Sequence, residues 1–123
     1  MTTQASDVVE QYYRAFDLHT DGWQDLVSDD VVFDGPVQHA RGKAEFVALT
    51  AQFLQAHRNT QVLSRMADGN HVATLFEFVI DAPTGESITC SVAEWATVLD
   101  GRINEFRVYY DPRVFIQAFG LGD

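Results

Sequence analysis

The hydrophobic positions change period along the chain, and that change sets out its elements. Val9, Tyr12, Tyr13 and Phe16 recur at helical spacing, which predicts a first helix from Asp7 to His19, capped by Ser6 and broken at Thr20-Asp21-Gly22. Trp23 to Val27 reads as a short second helix ended by Ser28-Asp29-Asp30, and Val31-Val32-Phe33 as a short strand. Gly35-Pro36 then bends the chain into a loop over residues 37–42. Phe46, Leu49, Thr50, Phe53 and Leu54 share one face of a helix from Lys43 to His57. Beyond it the period falls to two. Thr60 to Ala67 alternates Val62, Ser64 and Met66 against Gln61, Leu63 and Arg65. His71 to Asp81 sets Phe76, Phe78 and Ile80 against Leu75, Glu77 and Val79. Two further runs follow between Ile88 and Pro112, joined at Leu99-Asp100-Gly101-Arg102, and Asp-Gly between alternating runs is a strong hairpin signal. A short amphipathic helix with Val114, Phe115, Ala118 and Phe119 closes the chain, and residues 1–5 and 120–123 read as loose ends. Helices followed by hairpins imply an α+β fold, with helices packed on one face of a curved antiparallel sheet.

Length and composition narrow this picture. The 123 residues suit a single domain spanning 1–123, large enough to bury a core without metal or disulfide staples. Nine Phe, four Tyr and two Trp are enough to line a pocket or an interface. The net charge of −10 argues against nucleic acid and against an anionic membrane surface as partners, since both need clustered Lys and Arg. Cys90, the sole cysteine, forms no internal disulfide or cysteine-based zinc cluster and reads as a small buried residue. No signal peptide or membrane span is evident, which implies a soluble, cytoplasmic protein. The four histidines are scattered without metal-ligand spacing, and there is no phosphate-binding glycine motif, so neither metal nor cofactor is expected.

One residue breaks the pattern. Glu94 sits in Val92-Ala93-Glu94-Trp95 at an alternating position flanked by Val92 and Ala96. A carboxylate there must be paired, protonated or solvated by a pocket. Glu77 falls on the neighbouring strand. Facing inward, it would form a carboxylate pair with Glu94; facing outward, it is an ordinary partner for Arg65 or Arg107.

The order of elements, with Tyr13-Arg14-Ala15-Phe16, Ser28-Asp29-Asp30-Val31-Val32-Phe33, Arg41-Gly42-Lys43, Asp100-Gly101-Arg102-Ile103 and Tyr109-Tyr110-Asp111-Pro112, resembles the nuclear-transport-factor-2-like superfamily and, within it, the SnoaL-like group. The resemblance runs from about Asp7 to Phe119. It implies a cone: a curved sheet wrapped around three to four helices, enclosing an apolar cavity, often dimeric through the sheet's outer face. It also implies that Phe106, Val108 and Tyr110 face the cavity, and Glu105, Arg107 and Tyr109 the outside. Matched to ketosteroid isomerases, Tyr13 would be an oxyanion donor and Glu94 the protonated acid, while Gly35 stands at the base's position. Asp34, one residue earlier, or His39 would then have to supply the base. Epoxide-hydrolase chemistry fits poorly, since Val108 replaces the last-strand aspartate; Asp111 reads as a helix cap. The superfamily hosts both enzymes and binding modules. The expectation is therefore a cofactor-free isomerase, cyclase or lyase acting on a small hydrophobic carbonyl compound, or else a non-catalytic ligand-binding or dimerisation module, and in either case a homodimer.

Overall fold

At Asp100-Gly101 both residues adopt positive φ, 53° and 76°, the mirror-image turn that matches the twist of antiparallel strands. This joins β5 (Ser87–Leu99) to β6 (Arg102–Tyr109). The computed structural model describes residues 4–119, with the side chains of residues 114 and 117–119 excepted. The described residues form α1 (Ala5–Asp17), a 3₁₀ turn (Asp21–Leu26), β1 (Val27–Asp34), β2 (His39–Arg41), α2 (Lys43–Leu54), β3 (His57–Asp68), β4 (His71–Asp81), β5, β6 and α3 (Pro112–Phe119). The strands make one six-stranded sheet in the order β2-β1-β6-β5-β4-β3. All neighbours are antiparallel except β1 and β6, whose parallel pairing is made possible by the long excursion through α2 and four strands. Among these residues no helix is long and apolar enough to cross a membrane.

Several boundaries differ from the sequence reading. Ser6 lies inside α1 rather than capping it, and Gln4 stands at the cap. The helix ends instead on a chain reversal in which His19 takes the left-handed conformation, His19 N–H donates to Phe16 O and Thr20 N–H to Ala15 O. Ser28-Asp29-Asp30 does not stop an element: it belongs to β1, where an irregularity between Val27 and Val32 leaves both aspartates exposed. The loop over 37–42 contains β2, and α2 stops at Leu54, so that His57 opens β3. Val114, Ala118 and Phe119, read as the apolar face of the last helix, and the end residues 1–3 and 120–123 lie outside the described residues or side chains.

A second irregularity, between Val62 and Ser64, reverses the faces of β3. Val62 pairs with inward Phe76, but beyond Leu63 it is Arg65 that pairs with inward Thr74, while Ser64 and Met66 pair with Leu75 and Ala73. The expected grouping of Val62, Ser64 and Met66 on one face is thus split by the extra residue.

The core lies between the sheet's inner face and the helices. Val8, Val9, Tyr12 and Tyr13 of α1, Trp23, and Phe46 of α2 are buried against Val27, Val31, Ile103 and Phe106. The rings of Phe46 and Phe106 stack 5.1 Å apart and nearly parallel.

Candidate functional site

Between that aromatic stack and the far end of the sheet the side chains leave a cavity of about 110 Å³. α1 contributes Tyr12, Tyr13 and Phe16 to its wall, and α2 contributes Phe46, Leu49, Thr50 and Phe53. β4 and β5 add Phe76, Phe78, Val92 and Glu94, with Val108, Tyr110 and Phe115 from the last strand and beyond. Strict alternation puts Phe76 and Phe78, Val92 and Glu94 on one face, so the period that fills the core also aims a carboxyl into the cavity.

Glu94 is the only carboxyl on this wall among the described residues, and its residue is 7% exposed. The Tyr13 hydroxyl donates to its Oε1 at 2.7 Å. Burial pushes the Glu94 carboxyl from 4.5 up to about 7; the Tyr13 hydrogen bond and the positive charge of Arg65 pull the other way. Burial and the nearby Glu94 hold the phenols of Tyr12 and Tyr13 well above their usual range, so both stay protonated. The Arg65 guanidinium lies over the Tyr13 ring, 4.9 Å from its centre. The remaining polar groups on the wall are Gln38, Thr50, Thr60 and Tyr110.

The structure therefore brings Tyr13, Glu94, Val108 and Tyr110 together. It does not bring Asp34 or His39. In β1, Phe33 pairs with Phe106 and lines the cavity, while Asp34 pairs with Arg107 on the opposite face. His39 Nδ1 lies 3.1 Å from Asp34 Oδ1, and both side chains are exposed. Gly35 does not distort the strand enough to turn Asp34 inward. Its N–H donates to Gln38 O, and a Cβ at this position would come within 2.9 Å of Val108. Neither residue offers the cavity a base. Phe106 faces inward but belongs to the core, sealed from the cavity by its stacking on Phe46. Glu77 takes the outward alternative, accepting a 3.3 Å hydrogen bond from Ser91, so no carboxylate pair forms with Glu94.

Two features were not identified as site components from sequence. One is Arg65, hidden by the β3 irregularity. The other is His57, fully buried behind the cavity wall between the rings of Phe16 and Phe53. Its Nδ1 lies 2.8 Å from His19 Nε2 and its Nε2 lies 2.7 Å from Thr60 Oγ1. Burial and His19 lower its imidazole from 6.5 to about 4, so it is neutral at pH 7. Among the described residues no His, Cys, Asp and Glu side chains are grouped to hold a metal ion.

The family model for the SnoaL-like domain matches residues 9–106. The chain belongs to this family. Among curated proteins none matches this SnoaL-like domain in sequence. Solved structures resemble it closely in fold. A protein of Kribbella flavida DSM 17836 is 27% identical, with a TM-score of 0.82 over 95% of this chain and 94% of the other. A provisionally assigned SnoaL-like polyketide cyclase of Jannaschia sp. CCS1 is 17% identical, with a TM-score of 0.81 over 98% and 94%. TerC, co-crystallised with polyporic acid, is 14% identical, with a TM-score of 0.80 over 94% and 98%. At such low identities the last two establish shared architecture only.

Proposed function

We propose that this SnoaL-like domain binds a small, largely apolar carbonyl compound in its aromatic cavity and that Glu94 moves a proton on it, as a cofactor-free isomerase, cyclase or lyase. The observation that carries this is the one buried carboxyl among the described residues, poised near pH 7 and aimed into an apolar chamber. At neutral pH such a group is divided between its two forms and serves as base or acid with little driving force lost. The ionised carboxyl takes a proton from the carbon beside the substrate carbonyl; the C–H electrons pass into the enolate, and the acid returns the proton to another carbon. Tyr13 holds Oε1, which leaves Oε2 for the substrate. The hydroxyls of Tyr110, Thr50 and Thr60 and the amide of Gln38 are the donors available to the enolate oxygen.

The cavity also bounds the ligand. Its volume of about 110 Å³ is below the ~150 Å³ of an engineered apolar cavity that takes up benzene. One small ring or a short branched chain fits with the walls as they stand. The cyclase assignment of the Jannaschia protein and the co-crystallisation of TerC with polyporic acid support the general class, a small organic molecule as ligand.

The test is exchange in D₂O. Small cyclic and branched ketones are incubated with protein, and NMR follows loss of the hydrogen beside the carbonyl. Exchange that vanishes in Glu94→Gln supports the reading. A melting-temperature rise without exchange would indicate the non-catalytic ligand-binding module, and neither effect across the panel overturns small-molecule binding.

We further propose a homodimer through the outer face. Leu75, Trp95, Tyr109 and Met66 are exposed there, around the small side chains of Ala73 and Ala93 in two adjacent cross-strand rows. Such a contiguous apolar surface suits burial against a second copy.

A further inference from the structure

Glu94 is tied to a cation two strands away. Arg65 pairs with Thr74 and Thr74 with Glu94, so the three side chains form one row across β3, β4 and β5 on the inner face. Arg65 Nε donates to Thr74 Oγ1 at 3.1 Å, and Thr74 is buried. The guanidinium covers the Tyr13 ring, whose hydroxyl in turn donates to Glu94. Arg65 Nη2 is buried without a hydrogen-bond partner among the described residues, and no carboxylate ion-pairs with Arg65 there. A half-buried arginine with one shielded nitrogen left without a partner is costly, because a guanidinium drawn out of water normally satisfies its fork on a carboxylate.

The groups that face Glu94 from the packed elements are Tyr12 and Tyr13 of α1, Arg65 of β3, Thr74 of β4 and Val108 of β6. Arg65 is the only cation among them. We infer that Arg65 is a positioning residue of the acid–base site: anchored on Thr74, it fixes the Tyr13 ring and supplies, through that ring, the positive potential that lets Glu94 ionise inside an apolar chamber. Without it, burial would keep Glu94 protonated at neutral pH and the site would lose its base. The guanidinium also makes the Tyr13 phenol a stronger donor, since its charge favours loss of the phenolic proton. The inference rests on the reading of Glu94 as the working acid–base group, and it concerns what makes that group usable.

The experiment needs no substrate. Glu94 is titrated in the ligand-free protein by carbon-detected NMR, its signal assigned by loss in Glu94→Gln. Arg65→Gln is expected to move the midpoint above the wild-type value of about 7. Arg65→Lys keeps the charge and should restore it most of the way. Thr74→Val removes the anchor and should shift both the midpoint upward and the Tyr13 ring resonances. A merely structural arginine would lower the melting temperature and leave the midpoint in place, and an unchanged midpoint in folded Arg65→Gln overturns the inference. If Arg65→Gln does not fold, Thr74→Val decides: an unchanged midpoint there has the same force. Absence of deuterium exchange would sink the catalytic reading without touching this coupling, so the two failures are separable.

Discussion

Replacing Glu94 by Gln should make the protein more stable at pH 8 and leave it little changed or less stable at pH 5. In the unfolded chain the carboxyl titrates near 4.5, and in the native state near 7. The native state therefore holds an extra proton between these values. The stability associated with that proton is complete below 4.5 and is lost as the pH rises through 7. At about 1.4 kcal/mol per pH unit, the gap amounts to roughly 3 kcal/mol. Glutamine removes the ionisation at every pH. It still accepts from Tyr13, but it brings an amide NH₂ whose missing partners cost about 1–3 kcal/mol. A net gain of about 1 kcal/mol at pH 8 and a comparable loss at pH 5 are expected. The wild-type curve alone would not reveal this, because His57 acts in the opposite sense. Its imidazole falls from 6.5 to about 4 on folding, so its contribution is present above 6.5 and is lost as the pH drops toward 4. The two windows overlap and offset one another. The assay is therefore urea unfolding of wild type and Glu94→Gln at half-unit steps from pH 4 to 9, read as the difference between the two curves. A difference that does not change with pH would refute the claim that Glu94 is a buried carboxyl with a raised pKa.

His57→Gln should flatten the acid limb of the wild-type curve between pH 6.5 and 4, and an unchanged acid limb would show that the imidazole titrates normally. Phe106→Ala should lose about 3–5 kcal/mol in urea unfolding, because the ring is fully buried in a stack with Phe46 and its removal leaves a void in the core. Asp34→Ala and His39→Ala should each change stability by less than about 1 kcal/mol and leave ligand-induced melting shifts intact, as befits an exposed pair. A lost shift in either would return that residue to the site. Trp95→Asp should convert a dimer to monomers in sedimentation, and a wild-type protein already monomeric at high concentration would remove the outer-face interface.

The parts of this structure legible in the sequence are those where burial and period agree. Phe76, Phe78 and Ile80, and later Phe106 and Val108, mark the inner face by simple alternation, and Asp100-Gly101 fixes the register of the last hairpin. Glu94 stood out for the same reason, as a charged group at a position whose neighbours two residues away are apolar. Where pairing is carried by backbone alone, side chains give no signal. Asp29 and Asp30 look like a helix stop yet lie in β1, since an exposed stretch beside an irregularity needs no apolar residue. The short β2 is equally silent, with only Ala40 of its three residues buried.

The loss that mattered most was Arg65. Read by alternation, it falls on the face with Gln61 and Leu63, and its role depends on one extra residue in β3. A single inserted position reverses every side chain beyond it. No local pattern announces the event, because the exposed residues of β3 are tolerated on either face. The consequence is nonetheless chemical. The same insertion that leaves Leu63 unpaired turns a guanidinium inward, places it on the Tyr13 ring, and so sets the environment of a carboxyl on a strand it never touches. Deleting Leu63 should therefore leave the site in place. With the extra residue gone, Val62, Ser64 and Arg65 alternate regularly and Arg65 still pairs with Thr74 on the inner face, so the titration midpoint of Glu94 should stay at its wild-type value. A Leu63 deletion that folds and raises the midpoint as Arg65→Gln does would show that the irregularity itself, and not only the register it sets, positions Arg65.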